Sequence, residues 1–138
     1  MAKSTLNPVW KSEPDKHDYP AAASYLGLIA DDAVVVDLVA RLKKAPVSMH
    51  QAKDLLRAAR LDLLPISDKH VAADLAKIVK GVKLSPVLLV RGGIEHGLPL
   101  TIADGYHRVC ASYYTADDAD IPARLVDLAV PPGSKPKK

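Results

Sequence analysis

The residues best suited to chemistry are five consecutive ones, Asp104-Gly105-Tyr106-His107-Arg108, which follow an apolar stretch over residues 98–103. We predict that this stretch is a strand and that a helix begins directly after it, at Gly105. The first turn of a helix has unpaired N–H groups and partial positive charge, and both favour a bound anion. Gly105 permits a tight turn and close approach of a ligand to the backbone. The segment therefore predicts a phosphate site.

The side chains of this turn add donors and acid–base groups. Arg108 can hold phosphate through two hydrogen bonds, and His107 can donate or exchange a proton near neutral pH. Asp104 could accept a proton from an attacking hydroxyl or help to hold a divalent cation. Asp104 and His107 are therefore the candidate catalytic residues. The candidate ligands of a phosphate or nucleotide are Gly105, Tyr106, His107 and Arg108.

A purely structural interpretation of the turn stays open from the residues alone. Asp-Gly is a common turn pair, so Asp104 could be only a cap and Arg108 only a surface side chain. Lys69 and His70, at the start of a predicted helix, are further candidate ligands. Arg91, which ends a predicted strand near the same end of the sheet, is another. Basic side chains in such places are usually just solvated.

Metal and thiol chemistry is not indicated elsewhere in the chain. The other histidines lack metal-ligand spacing, so no metal site is expected. The single cysteine, Cys110, excludes an intrachain disulfide, and a buried thiol is expected rather than a reactive one. The acidic residues of the segment 115–120 could bind a cation, but a solvated loop is the commoner role.

The composition is that of one globular domain. The chain has 138 residues, 49% of them apolar and none of them Phe, which indicates an aliphatic core. No apolar stretch is long enough to cross a bilayer and no signal peptide is apparent, so we expect a cytoplasmic protein without a membrane partner. The formal charge is +3, and three cations lie in the last four residues, so residues 129–138 are expected to be a solvated basic tail.

Residues 1–60 are predicted to be an arm followed by three short helices. Pro20 suits the first turn of a helix from Asp18 to about Ala30, and Asp31 and Asp32 suit the start of a second helix that ends at Lys44. The segment Ser48-Met49-His50-Gln51 has the form of a capping box, which predicts a third helix. The apolar face of that helix is expected to contain Ala52, Leu55, Leu56 and Ala59.

Residues 61–128 are predicted to form a small mixed sheet with packed helices. Residues 61–66 are either an edge strand or an extended lead-in. Ser67 can cap a helix over residues 68–80 that ends at Gly81. Strands are expected over residues 86–91, 98–103 and 121–127, and a helix over residues 105–114. The buried face of the helix before Gly81 is expected to contain Val71, Leu75, Ile78 and Val79.

Four segments in this part of the chain resemble the ParB/sulfiredoxin-like superfamily in their order and spacing. They are Leu63-Leu64-Pro65-Ile66, Leu84-Ser85-Pro86-Val87-Leu88-Leu89-Val90-Arg91, Ile102-Ala103-Asp104-Gly105-Tyr106-His107-Arg108 and Ile121-Pro122-Ala123-Arg124-Leu125-Val126. The resemblance implies an α/β (α+β) fold with a nucleotide whose phosphates contact Gly105, His107 and Arg108. It also implies that Asp104 acts as a base. The members of the superfamily include ATP-dependent sulfiredoxins, CTP-binding partition proteins and free-serine kinases.

The departures from that superfamily limit what it implies. Tyr106 stands where sulfiredoxins have their catalytic cysteine, so sulfinic acid reduction is not expected. The chain ends soon after its last predicted strand and has no DNA-reading domain after it, so specific DNA binding is not expected. A fold match alone does not transfer an activity.

Three functions remain in competition. The first is a phosphotransferase or nucleotidase that uses ATP, ADP or CTP with Mg²⁺, or acts on a phosphorylated small molecule. The second is a non-catalytic nucleotide-sensing or protein-interaction module, for which the helices of residues 1–60 could form a homodimer surface. The third is weak, non-specific DNA binding through residues 131–138.

Overall fold

The computed structural model describes residues 6–128, which form five α-helices and a four-stranded mixed sheet. The predicted α/β class is therefore confirmed. In chain order the elements are α1 (Asp18–Leu26), α2 (Asp32–Lys44), β1 (Val47–Gln51), α3 (Ala52–Ala59), α4 (Lys69–Lys80), β2 (Val87–Arg91), β3 (Thr101–Asp104), α5 (Tyr106–Thr115) and β4 (Asp120–Asp127), with a 3₁₀ turn at Ile94–His96 between β2 and β3.

The sheet has the strand order β1-β4-β2-β3. β2 is parallel to β4 and antiparallel to β3, and β1 is antiparallel to β4. Asp104 pairs with Leu88, and the register shifts between Leu88 and Leu89. The end of β3 therefore lies beside the start of β2, where the turn into α5 begins.

The central strand β2 separates two apolar clusters. Val87 and Leu89 pack with residues of α3, α4 and α5, whereas Leu88 and Val90 pack with residues of α1 and α2. Alternate residues of a strand face opposite sides of a sheet, so a strand with helices on both faces is apolar throughout. The first two helices thus cover one face of the sheet.

A side chain from the last strand fixes α2 on this face. The Arg124 guanidinium donates to the carbonyl oxygens of Lys43, at 2.7 Å, and Ala45, at 3.0 Å. Positive charge is favourable at a helix C-terminus, where carbonyl groups lack partners within the helix. Arg124 therefore links the sheet to the end of α2.

The predicted capping box is wrong, because residues 48–51 belong to β1. Ser48 pairs with Ala123 of β4, and its hydroxyl forms a 2.8 Å hydrogen bond with His50 Nε2 instead of capping a helix. Pairing with a distant strand overrides the local pattern. The helix after it does form, as α3, and its four predicted core residues are all buried.

Other boundaries differ by a few residues. α1 ends at Leu26 rather than near Ala30, since the amides of Leu28 and Ile29 bond to carbonyls only three residues back and so tighten the chain. Residues 61–65 have no regular structure, so the extended lead-in is the alternative that holds. The strand predicted over residues 98–103 is shorter and later, at Thr101–Asp104.

The fourth helix has the predicted end but a different cap. Gly81 adopts the left-handed conformation, with φ of 73°, as expected for a helix C-terminus. The cap is Asp68 rather than Ser67, because the Asp68 carboxylate accepts hydrogen bonds from the amides of His70 and Val71 at 2.9 and 3.0 Å. Val79, predicted on the buried face, is 63% exposed.

This cap gives a test that separates two adjacent residues. Asp68→Ala should lower the midpoint of urea unfolding, because two amides at the start of α4 lose their acceptor. Ser67→Ala should leave the midpoint unchanged. Chemical unfolding followed by circular dichroism measures both variants. An equal loss in the two variants, or a loss in Ser67→Ala alone, contradicts the assigned cap.

Candidate functional site

The turn between β3 and α5 has the strand–glycine–helix form that the sequence predicts. Asp104 ends the strand, Gly105 has φ of 115°, and α5 begins at Tyr106. Among residues 6–128 no side chain caps α5, and the Val109 amide donates to the Gly105 carbonyl at 3.0 Å. The first-turn amides of α5 therefore have no capping side chain in this part of the chain, which suits an anion.

Gly105 is required by the packing of the protein itself. A Cβ atom at this position would lie 2.3 Å from Val87 Cγ1 and 2.9 Å from an Arg108 guanidinium nitrogen. The absent side chain thus lets the turn press against β2 and lets Arg108 fold back over the turn.

Arg108 lies among groups of its own chain. Its Nη2 is 2.6 Å from Asp104 Oδ2, its Nη1 donates to Ser85 Oγ at 2.6 Å, and Nη1 is 3.5 Å from Asp18 Oδ1. The side chain is only 14% exposed, and its buried Nε has no hydrogen-bond partner within residues 6–128. The positive charge of Arg108 is therefore paired with carboxylates of the protein itself.

Asp18 and Ser85 are site residues that the sequence analysis did not identify. Asp18 is 2% exposed, and its Oδ2 accepts a 2.9 Å hydrogen bond from the Asp15 amide. Ser85 is 4% exposed and immediately precedes the Pro86 that leads into β2. Both lie far from the turn in sequence, and the only local signal was an acidic residue at a helix start, which resembles an ordinary first-turn carboxylate.

The two carboxyl groups beside Arg108 have opposite pKa shifts. Burial raises the pKa of Asp104 to about 6, and the nearby Asp18 adds to this rise while Arg108 opposes it. Burial also opposes ionisation of Asp18, but hydrogen bonds from Ser85 and the Asp15 amide and the charge of Arg108 hold its pKa below the usual value. Asp104 is thus the carboxyl group that can exchange a proton near neutral pH.

Two histidines meet where α4 and α5 pack. The ring centroids of His70 and His107 are 4.7 Å apart, and the Tyr106 ring is 5.7 Å from that of His107. The Tyr106 hydroxyl donates to the Asp62 carbonyl at 2.5 Å, which fixes its ring against the lead-in to α4. His70, a candidate from the sequence, is therefore brought to the turn.

The site opens into a cleft of about 480 Å³. Four carboxylates line it: Asp15, Asp18, Asp74 and Asp104. Its basic lining residues are Lys11, His17, His70, Lys77, Lys83, His107 and Arg108. Lys11 is paired with Asp15 at 2.7 Å, and burial raises the pKa of Asp74. Donors for an anion and a carboxylate base are thus exposed to the same space.

Three of the candidate ligands lie outside this cleft. Tyr106 and Lys69 are not among the lining residues. Arg91 was expected near the same end of the sheet, but it ends β2 while Asp104 pairs with the start of β2, because β2 and β3 are antiparallel. Arg91 instead pairs with Asp127 at the far end of the sheet.

Cys110 is a buried residue of the core rather than part of the cleft. Cys110 is fully buried, and burial raises the pKa of its thiol, so it is a poor nucleophile. Within residues 6–128 no group of three or more His, Cys, Asp and Glu residues is arranged to hold a metal ion.

Across the same residues, no helix combines the length and the apolar character that crossing a membrane requires.

Comparisons of the chain with protein-family models, with curated proteins and with solved structures find no match. The resemblance to the ParB/sulfiredoxin-like superfamily therefore remains a prediction, supported by the four sequence segments alone.

The crowding at Gly105 predicts a large effect of a small substitution. Gly105→Ala should lower the free energy of unfolding by about 2–5 kcal/mol, because it combines an unfavourable φ with overpacking against Val87. Gly81→Ala is the matched control, since its φ is also positive but nothing lies within 4 Å of the added Cβ. It should cost about 1–2 kcal/mol, the cost of a left-handed conformation for a residue with a Cβ atom. Urea unfolding of both variants measures the difference, and equal losses would show that Gly105 is not crowded.

Proposed function

We propose that this protein binds a nucleotide in the cleft and transfers or hydrolyses its terminal phosphoryl group, with Asp104 as the base. The observation that carries the proposal is the combination, in one cleft, of an uncapped helix start, the His70–His107 pair and a half-buried carboxyl group with a raised pKa. The helix start and the two histidines suit phosphate binding, and the carboxyl group suits proton acceptance from the attacking group.

The phosphate would lie at the start of α5. Its first-turn amides and the two imidazoles are donors for phosphate oxygens, and Lys77 on the neighbouring helix adds positive charge to the cleft. The cleft volume of about 480 Å³ falls within the range of roughly 300–1,000 Å³ for small-molecule sites. The candidate ligands ATP, ADP and CTP all carry the phosphates that these groups suit.

Asp104 would accept the proton of the attacking hydroxyl or water. The new O–P bond forms as the bond from phosphorus to the leaving phosphate oxygen breaks, and the displaced negative charge departs with the leaving group. We infer that Arg108 stays bound to the carboxylates during phosphoryl transfer and does not bind the phosphate, because both of its terminal nitrogens already contact protein oxygens. Mg²⁺ bound to the nucleotide would offset the phosphate charge.

A non-catalytic nucleotide sensor is the second candidate. The observation that favours it is the direct Asp104–Arg108 ion pair at 2.6 Å, which engages the carboxylate that would otherwise serve as the base. In that case nucleotide would bind without turnover. The third function, DNA binding by residues 131–138, concerns a segment outside the described residues.

Nucleotide binding is tested by calorimetry with ATP, ADP, CTP and GTP, each with and without Mg²⁺. We expect saturable binding of at least one of them, weakened about tenfold or more in His107→Ala, since a charge-assisted hydrogen bond contributes about 1.5–3 kcal/mol. His96→Ala is the control, because His96 lines a different surface and should leave the affinity unchanged. Absence of binding by every nucleotide excludes the proposal.

The pH dependence of turnover tests the base. Because a base works in its deprotonated form, and the pKa of Asp104 is raised to about 6, kcat/KM should rise about tenfold per pH unit below that value and level off above it. Asp104→Asn should lower kcat by about 10²–10⁴-fold while nucleotide still binds. Full activity of Asp104→Asn would remove Asp104 from the mechanism. Binding by the wild type without any turnover would instead identify the sensor.

A further inference from the structure

Asp18 is the most deeply buried carboxylate near the site, and it comes from α1, outside the turn. Its side chain is 3% exposed, and an unpaired charge at that depth would be strongly unfavourable. Three groups compensate it: the Asp15 amide, the Ser85 hydroxyl and the Arg108 guanidinium. The first two have no charge, so Arg108 is the principal charged partner that Asp18 has in the cluster.

Asp104 competes for the same guanidinium, because Arg108 Nη2 lies 2.6 Å from Asp104 Oδ2 while Arg108 Nη1 lies 3.5 Å from Asp18 Oδ1. Two ionised carboxylates have only acceptor oxygens, so they can form a hydrogen bond to one another only when one of them holds a proton. One guanidinium and two carboxyl groups that share one proton are electrically neutral together, whereas two carboxylates would leave an excess negative charge in a buried place.

We propose that Asp18 is a positioning residue for the base: it shares a proton with Asp104 and holds Arg108, so that the reacting group is a two-carboxylate unit built from α1 and β3. The proposal rests on the proposed function for its role in a reaction, although the pairing itself can be measured without any ligand. Asp104 is the member that exchanges its proton with the cleft, since its side chain is 19% exposed against 3% for Asp18.

The other charged groups around the pair come from the residue before α1 and from α4. His17 Nε2 lies 3.6 Å from Asp18 Oδ1, and that imidazole is 80% exposed. From α4, Asp74 and Lys77 face each other at 4.0 Å, and Arg108 and His107 act on the ionisation of Asp74. Arg108, which lowers the pKa of Asp104, and Asp18, which raises it, are the charged groups with the largest effects on Asp104. Removing the charge of Asp18 should therefore lower the pKa of Asp104.

The test is a pH titration of the protein with ¹³C-labelled aspartate carboxyl groups, followed by NMR. In the wild type the Asp104 signal should titrate near pH 6. In Asp18→Asn the midpoint should fall by about one pH unit or more, because a like charge is lost while Arg108 remains. Asp15→Asn is the matched control, since it removes a carboxylate from the same cleft but keeps the backbone amide that Asp18 accepts from, and it should leave the midpoint of Asp104 unchanged.

An unchanged Asp104 midpoint in Asp18→Asn overturns the proposal, as does an equal fall in Asp15→Asn. If Asp18→Asn does not fold, the wild-type titration decides. Carboxyl groups that share a proton titrate as a pair, so both signals should respond in two common steps. A single, independent step for each signal would overturn the shared proton.

Turnover then separates this proposal from the proposed function. In Asp18→Asn the acid limb of kcat/KM should move to lower pH by the same amount as the Asp104 midpoint, while the nucleotide affinity stays unchanged. A wild type that binds no nucleotide excludes the proposed function. The shift of the Asp104 midpoint in Asp18→Asn can still be measured in that case, because the titration needs no nucleotide. Nucleotide binding with an unmoved midpoint retains the function and rejects the role of Asp18.

Discussion

The contact between one guanidinium and two carboxyl groups determines how this site is built. Arg108 lies 2.6 Å from Asp104 and 3.5 Å from Asp18, in surroundings from which most water is excluded. Desolvation makes each of these charges unfavourable by itself, and Arg108 cannot be deprotonated. The negative charge of the cluster is therefore reduced when the weaker acid, Asp104, binds a proton. The raised pKa of Asp104 follows from this arrangement and makes it a suitable base.

Several features of the fold are needed to bring the three groups together. The strand order places the end of β3 beside the start of β2, and Gly105 lets Arg108 turn back over Asp104. α1 lies on the sheet face formed by Leu88 and Val90, which brings Asp18 to the same point. The helices before residue 60 are thus part of the site as well as of the core. A substitution in α1 can affect chemistry at a turn that is distant in sequence.

The sequence predicted the local parts of this arrangement and missed the long-range ones. The strand–glycine–helix turn was correctly predicted, because Asp104 and Gly105 are adjacent and their preferences are local. Asp18 and Ser85 were missed, since contacts between distant segments depend on topology. The strand β1 was missed for the same reason, because Ser48 and Gln51 imitate a helix cap while their partners lie in β4. Arg91 was placed at the wrong end because the direction of β3 relative to β2 is not evident from spacing.

The most direct test of the account is a crystal structure with a non-hydrolysable ATP analogue and Mg²⁺. The account predicts the terminal phosphate at the start of α5, within hydrogen-bond distance of His107, with Arg108 still bound to Asp104 and Asp18. Density for the analogue elsewhere on the protein would contradict the site. If Arg108 instead breaks its contacts with Asp104 and Asp18 and binds the phosphate, the role assigned to these three residues is contradicted.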